Sequence, residues 1–170
     1  MSNYKYQIFY VMGVSGCGKS TIGKMLAQEL EIPFFDGDDY HPEANIEKMK
    51  SGRPLNDEDR KGWLLRLNTL AQSQKEKGAV IACSALKEAY RVLLNKGLKN
   101  EVCWVYLEGS YATIYRRLSQ RKGHFMPEKL LTSQFETLEP PTNALTVNIV
   151  LNPTEILAKI VDELEHQTKL

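Results

Sequence analysis

Short apolar runs rich in β-branched and aromatic residues recur along the chain, and longer segments with helical spacing separate them. The runs cover Tyr6 to Met12, Pro33 to Phe35, Ala79 to Cys83, Val102 to Leu107 and Leu145 to Leu151, and each predicts a strand. Between them the spacing predicts helices over Ser20 to Leu30, Glu43 to Lys50, Asp57 to Lys77, Lys87 to Asn95, Ser110 to Lys122 and Pro127 to Leu138. A last helix is expected to start with Asn152 as N-cap, Pro153 at the first helical position and Glu155 as the capping-box partner, and to run on toward the C-terminus. Strand and helix alternate throughout. Parallel neighbours need long return connections, so this alternation predicts a five-stranded parallel sheet between two helical layers, a three-layer α/β/α sandwich.

At 170 residues with a formal charge of +1, the chain is the length of one domain and carries no overall bias toward nucleic acid or an anionic membrane. Any electrostatic function must therefore be local. Cys17, Cys83 and Cys103 are odd in number and form no CxxC pair, which suits reduced thiols in a cytoplasmic protein. The apolar run near Met1 is too short to span a bilayer and is followed by a glycine-rich turn, so neither a signal peptide nor a membrane span is expected. Turn residues concentrate in 37 to 56 and 123 to 143, where mobile structure is expected.

The first strand leads into Gly13-Val14-Ser15-Gly16-Cys17-Gly18-Lys19-Ser20, which fits G-x-x-x-x-G-K-[ST] at every fixed position and opens a helix. Such a phosphate-binding loop (P-loop) turns successive backbone N–H groups toward one concavity, and the helix N-terminus adds about half a positive charge there. Lys19 is expected to reach the β and γ phosphates of a nucleotide, Ser20 to ligate Mg²⁺ and Thr21 to meet the α phosphate. Cys17 reads as a loop filler more readily than as a redox group.

After the second strand comes Asp36-Gly37-Asp38-Asp39-Tyr40-His41-Pro42. Carboxylates at the C-terminal edge of a strand beside a P-loop lie where open α/β sheets bind ligands. Asp36 and Asp38 can put one carboxylate on the metal's water shell and the other on an acceptor hydroxyl, a division of labour that suits phosphoryl transfer. A solvated turn or helix cap is the plainer alternative.

The run DGDDYHPEANIEKMKSGRPLNDEDRKGWL, residues 36 to 64, resembles the signature of the gluconate kinases (gluconokinases), small members of the shikimate kinase and nucleotide kinase group. The same likeness returns at Cys83-Ser84-Ala85-Leu86-Lys87 with Tyr90-Arg91, at Arg117-x-x-x-Arg121-Lys122-Gly123-His124-Phe125, at Ser133-Gln134-Phe135 and at Leu138-Glu139. It covers nearly the whole chain. The resemblance implies a single P-loop kinase domain with an acceptor-binding region over about 37–60 and a mobile lid over about 121–143. It also implies ATP- and Mg²⁺-dependent phosphorylation of D-gluconate at its 6-hydroxyl, supplying the pentose phosphate or Entner–Doudoroff route, and a homodimer.

A polyol carboxylate needs a cation and several hydrogen-bonding groups. Arg53 is the first choice for the carboxylate, since a guanidinium grips it bidentately. Lys87 and Arg91 are further candidates, and Asp38, His41, His124 and Gln134 suit the hydroxyls. Arg53 suits a helix cap equally, and Lys87 and Arg91 suit a solvated helix face. By similarity to the wider group, Arg117 would stack near the adenine, Pro153 would cover its other face, and Arg121 would swing in with the lid toward the transferring phosphate, which makes Lys19, Asp38 and Arg121 the expected catalytic set. Trp63, Leu64, Leu65 and Leu67 read as core or dimer surface. Rival readings are a kinase of the same fold acting on shikimate or a nucleotide, and a regulatory protein that only couples a nucleotide to a partner.

Overall fold

The computed structural model describes residues 4–123 and 128–168. Five parallel strands form one sheet in the order β2-β3-β1-β4-β5: β1 (Ile8–Met12), β2 (Phe34–Asp36), β3 (Ala79–Ala82), β4 (Val102–Glu108) and β5 (Leu145–Asn148). The helices between them are α1 (Lys19–Leu30), α2 (Glu43–Lys50), α3 (Asp57–Ser73), α4 (Glu88–Asn95), α5 (Tyr111–Gln120), α6 (Glu128–Thr137) and α7 (Pro153–Thr168). The expected α/β/α architecture is the one observed.

The central strand β1 is buried on both faces, as a near-continuous apolar run in a parallel sheet must be. Its period-two alternation divides the core. Phe9 and Val11 join Ile22 and Leu26 of α1, Ile114 of α5 and Ile156, Ile160 and Leu164 of α7. Ile8, Tyr10 and Met12 join Trp63, Leu64 and Leu67 of α3 and Tyr90 and Leu94 of α4 on the other face. Leu65 instead points outward.

Element ends differ from the expected ones where side chains or glycine intervene. β5 stops at Asn148 because the Asn148 side chain accepts the Val150 N–H at 3.0 Å, an Asx turn that bends the chain away. α3 stops at Ser73 because the backbone winds through Gln74 to Gly78, whose φ of +82° suits glycine. A 3₁₀ turn over Gly37–Tyr40, with no signature in the hydrophobic pattern, follows β2. The capping box at α7 is present, with Asn152 and Glu155 exchanging backbone-to-side-chain bonds of 2.9 and 3.0 Å.

Successive connections leave β1 toward β2 on one side and reach β4 on the other, so the strand order reverses at β1 and β3. Open α/β sheets bind ligands outside the carboxyl ends of strands at this reversal. The P-loop, Asp36 and the Cys83–Lys87 segment all emerge there.

Candidate active site

The loop after β1 is held at both ends. The Gly13 N–H donates to the Ser84 carbonyl at 3.3 Å, and the Ile22 N–H donates to the Gly18 carbonyl at 2.9 Å in the first turn of α1. Gly16 has φ +81°, and a Cβ there would stand 2.9 Å from Leu118 of α5, so only glycine allows α5 to pack this closely. Val14, Ser15, Cys17 and Gly18 complete the turn, with Cys17 buried as packing. Lys19 lays its ammonium 3.0 Å from the Val14 carbonyl oxygen. Thr21 is exposed on the first turn of α1.

Ser20 Oγ donates to Asp36 Oδ2 at 2.8 Å, which brings the two expected metal-site residues together. Two hard oxygen donors fit a cation that keeps several waters and shares phosphate oxygens, as Mg²⁺ does. Among the described residues no group of three His, Cys, Asp or Glu side chains could enclose a metal unaided.

Asp36 also builds the turn expected on the acceptor side. Its Oδ1 accepts the Asp38 N–H at 3.0 Å and caps the 3₁₀ turn that carries Asp38. Gly37 is fixed from behind: a Cβ would lie 2.4 Å from the Ala82 carbonyl oxygen, and Trp63 Nε1 donates to the Gly37 carbonyl at 2.7 Å. Trp63 further stacks on His41, with ring centroids 4.1 Å apart. A single tryptophan of α3 thus positions both ends of the turn.

Burial, with Arg60 adding to it, lowers His41 to about 4, so the ring is neutral near pH 7. Its 3.8 Å approach to Asp38 is accordingly a contact between a neutral ring and a carboxylate, not an ion pair. Asn45 Nδ2 lies 3.4 Å from Nδ1 and can only donate, which leaves the ring proton on Nε2, facing Asp38. The Asp38 side chain keeps 83% of its own surface open, although protein atoms surround the cleft it faces. That desolvation pushes its pKa above the ordinary carboxylate range, Asp36 and Asp39 add to the rise, and Lys19 opposes it.

A second cluster adjoins this one. Tyr90 of α4 donates its hydroxyl hydrogen to Asp57 and accepts from Arg60 Nη1 at 3.1 Å. Lys87 donates to Asp57 at 2.9 Å, and the Arg60 guanidinium lies over the Tyr90 ring, 5.5 Å from its centroid. These bonds hold Asp57 below the ordinary carboxylate range. Arg60 sits one turn before Trp63 on α3, and the N-terminus of that helix is set by a complete capping box between Asn56 and Asp59. Asp57, Arg60 and Tyr90 were not singled out from sequence, although all three fall in or beside the family-like runs. Only the meeting of α3 and α4 makes them a group.

The remaining expected residues divide. Arg53 stays with its own loop, exposed, with Nε donating to Ser51 Oγ at 3.0 Å and its backbone N–H closing α2 on the Lys48 carbonyl. Arg91 is 3% exposed and is a correction to the pocket reading. Its guanidinium donates to the carbonyls of Ala85 and Glu139 at 2.7 and 2.9 Å and to the Glu88 carboxylate at 3.0 Å, so its donors hold the backbone instead of facing a ligand. Gln134 is likewise engaged elsewhere, at two points on Ser15 of the P-loop. Arg117 reaches the Ile149 carbonyl, just ahead of the turn into exposed Pro153, so the two expected adenine neighbours flank one corner. Arg121 is exposed at the C-cap of α5, and His124 lies outside the described residues.

A P-loop facing a carboxylate across the switch point of a parallel sheet puts the chain among the P-loop nucleotide-binding proteins. The chain belongs to the shikimate kinase family, which it matches over residues 15–165, and within it to the gluconokinases. It is 47% identical over 154 residues to the thermoresistant gluconokinase of Escherichia coli K12, covering 87% of each chain. It is 44% identical to a probable gluconokinase of Xenopus tropicalis, covering 93% of this chain and 91% of that one. The crystal structure of a gluconokinase from Sinorhizobium meliloti 1021 superposes with a TM-score of 0.90 at 37% identity, covering 98% of this chain and 95% of that one.

Proposed function

We propose that this chain transfers the terminal phosphoryl group of ATP to the 6-hydroxyl of D-gluconate, giving 6-phospho-D-gluconate. The observation that carries the reading is the position of Asp38, within the field of Lys19 of the P-loop and 3.8 Å from neutral His41, whose neighbour Arg60 bonds Tyr90. The named relatives are gluconokinases, which supports this acceptor.

In the proposed reaction the P-loop amides and Lys19 hold the phosphates, while Asp38 accepts the hydroxyl proton of the attacking acceptor. Ser20, and Asp36 through water, would hold Mg²⁺, which neutralises phosphate charge. The Nε2–H of His41 faces the carboxylate from 3.8 Å and would donate to a sugar hydroxyl. Arg60, with Lys87 beside it, supplies the cation for the gluconate carboxylate, a role the sequence reading gave first to Arg53. Arg117 and Pro153 would border the adenine, and Arg121 would reach the transferring phosphate. The chain acts as a single kinase domain with its acceptor region over about 37–60 and its lid over about 121–143.

The proposal extends to a cytoplasmic homodimer. Three free buried thiols suit a reducing compartment, and Leu65, Val92, Tyr115 and Val150 leave apolar surface for a partner copy. No helix among the described residues is long and apolar enough to cross a membrane. Light scattering in solution measures the assembly.

The deciding experiment follows ADP release from ATP and Mg²⁺ with D-gluconate, shikimate, AMP, glucose, other aldonic acids or no acceptor. Stimulation by gluconate with 6-phosphogluconate as product is the expected result. A different preferred acceptor overturns the pocket assignment, and no stimulation by any acceptor overturns the kinase reading.

A further inference from the structure

Gln134 on α6 grips Ser15 at two points, across 119 residues of sequence. A backbone N–H can only donate, so the atom 2.7 Å from the Ser15 nitrogen is the amide oxygen Oε1. Nε2 is then the atom 3.0 Å from Ser15 Oγ, and it donates there. A hydroxyl has one hydrogen and two acceptor lone pairs. With Nε2 aimed at one lone pair, the Ser15 hydrogen cannot point back along that line and is directed elsewhere. The Ser15 N–H is consumed by the same side chain. Among the loop residues, Ser15 therefore offers a ligand a hydroxyl donor in place of a backbone one.

Its position indicates which phosphate it meets. Lys19, whose ammonium serves the β and γ phosphates in loops of this type, rests on the carbonyl of Val14, the residue next to Ser15. Thr21, on the first turn of α1 beyond Ser20, is the residue expected at the α phosphate, away from Ser15.

We infer that Gln134 is a positioning residue that fixes the Ser15 hydroxyl as a donor to the terminal phosphate, so that the loop prefers a nucleoside triphosphate to a diphosphate. This rests on the ATP-dependent transfer proposed above. It also ties α6, within the proposed lid region, to the phosphate site.

The test measures affinity for ADP and for an ATP analogue with a non-hydrolysable β–γ bridge, by titration calorimetry without acceptor. Ser15→Ala is expected to weaken the analogue about tenfold and ADP less than twofold, since a hydrogen bond to a charged group is lost at the terminal phosphate alone. Gln134→Met, neutral and of similar length, is expected to weaken the analogue about threefold by letting the hydroxyl turn away. Gln134→Glu is expected to cost about tenfold, because its carboxylate accepts the hydroxyl hydrogen. The double variant Ser15→Ala with Gln134→Met should match Ser15→Ala alone. In gluconate turnover, Gln134→Met should raise KM for ATP with kcat little changed.

Equal weakening of both nucleotides, full additivity in the double variant, or no change overturns the inference. A wild-type chain that binds the two nucleotides equally also overturns it. Normal nucleotide discrimination without gluconate phosphorylation would remove the acceptor assignment and leave this inference standing.

Discussion

Between Gly13 and Thr21 the groups available to a phosphate are mostly backbone N–H donors and the end of a helix, whereas around Asp38 they are side chains from four separate segments. The phosphate side is contiguous, and its geometry follows from one loop between β1 and α1. The acceptor side joins the turn after β2, the start of α3, the segment after β3 and the start of α4. Backbone donors carry fixed partial charges that no pH change alters. Side-chain clusters can be tuned, as His41 and Asp38 are, but each member depends on its neighbours. A contiguous loop therefore suits what every ATP has in common, and an assembled pocket suits the choice of acceptor.

The largest expected effect lies where the two sides meet. Asp38→Asn removes the proposed base and keeps the shape, so kcat should fall about 10³-fold while ATP affinity stays within about twofold. Single-turnover transfer and nucleotide titration read the two quantities separately. Retained transfer would remove Asp38 from the chemistry and move the boundary between the two sides.

The next effect separates two cations of the acceptor side. Arg60→Ala should raise KM for gluconate about 10- to 100-fold, the cost of losing a charge-assisted bond to a carboxylate. Arg53→Ala should change it less than threefold. The opposite order would return the carboxylate to the loop after α2.

That pair of arginines also shows what sequence could reveal. The five strands, their alternation with helices and the P-loop were legible because each is a local pattern, and the meeting of Ser20 with Asp36 was legible because the two end neighbouring motifs. Arg60 was not separable from Arg53, since both stand in one family-like run and only the contact of Arg60 with Tyr90 sets it apart. Arg91 looked like a cation one turn beyond Lys87, and nothing local reveals that its side chain turns inward to the Ala85 carbonyl. Trp63 read as core, which it is, but its bond to Gly37 makes it a support of the turn that carries Asp38 as well. Long-range side-chain partners leave no spacing to read.

Arg91→Ala sharpens the same point. Its loss strands the Ala85 and Glu139 carbonyls and should cost about 3 kcal/mol, lowering Tm by roughly 6–12 °C for a chain of this size. In the folded fraction KM for gluconate should hold. A raised KM with unchanged Tm would make Arg91 a ligand after all.

A smaller, pH-dependent effect comes from His41. Its folded pKa of about 4 lies below the ordinary 6.5, so the unfolded chain takes up the proton first. The stability this neutral ring supports is complete above 6.5 and is lost as pH falls toward 4. Asp38, raised in the folded state, works in the opposite sense, gaining stability as pH falls through its own pKa. His41→Gln should therefore flatten the acid slope of denaturant-midpoint measurements between pH 6.5 and 4. An unchanged slope would mean that the ring titrates normally in the folded state.

The smallest effect asks whether α3 is a rigid support. Gly62 lies between Arg60 and Trp63, exposed, and a Cβ there would meet nothing within 4 Å. Glycine inside a helix costs about 0.5–1 kcal/mol relative to alanine through the freedom it gives the unfolded backbone. Gly62→Ala should therefore raise stability by about that amount and leave KM for gluconate and kcat unchanged, because Arg60 and Trp63 keep their partners. A stabilised variant with impaired gluconate turnover would mean that α3 bends at Gly62 when the acceptor binds. The acceptor side would then be adaptable in its backbone as well as in its side chains, and its contrast with the phosphate loop would widen.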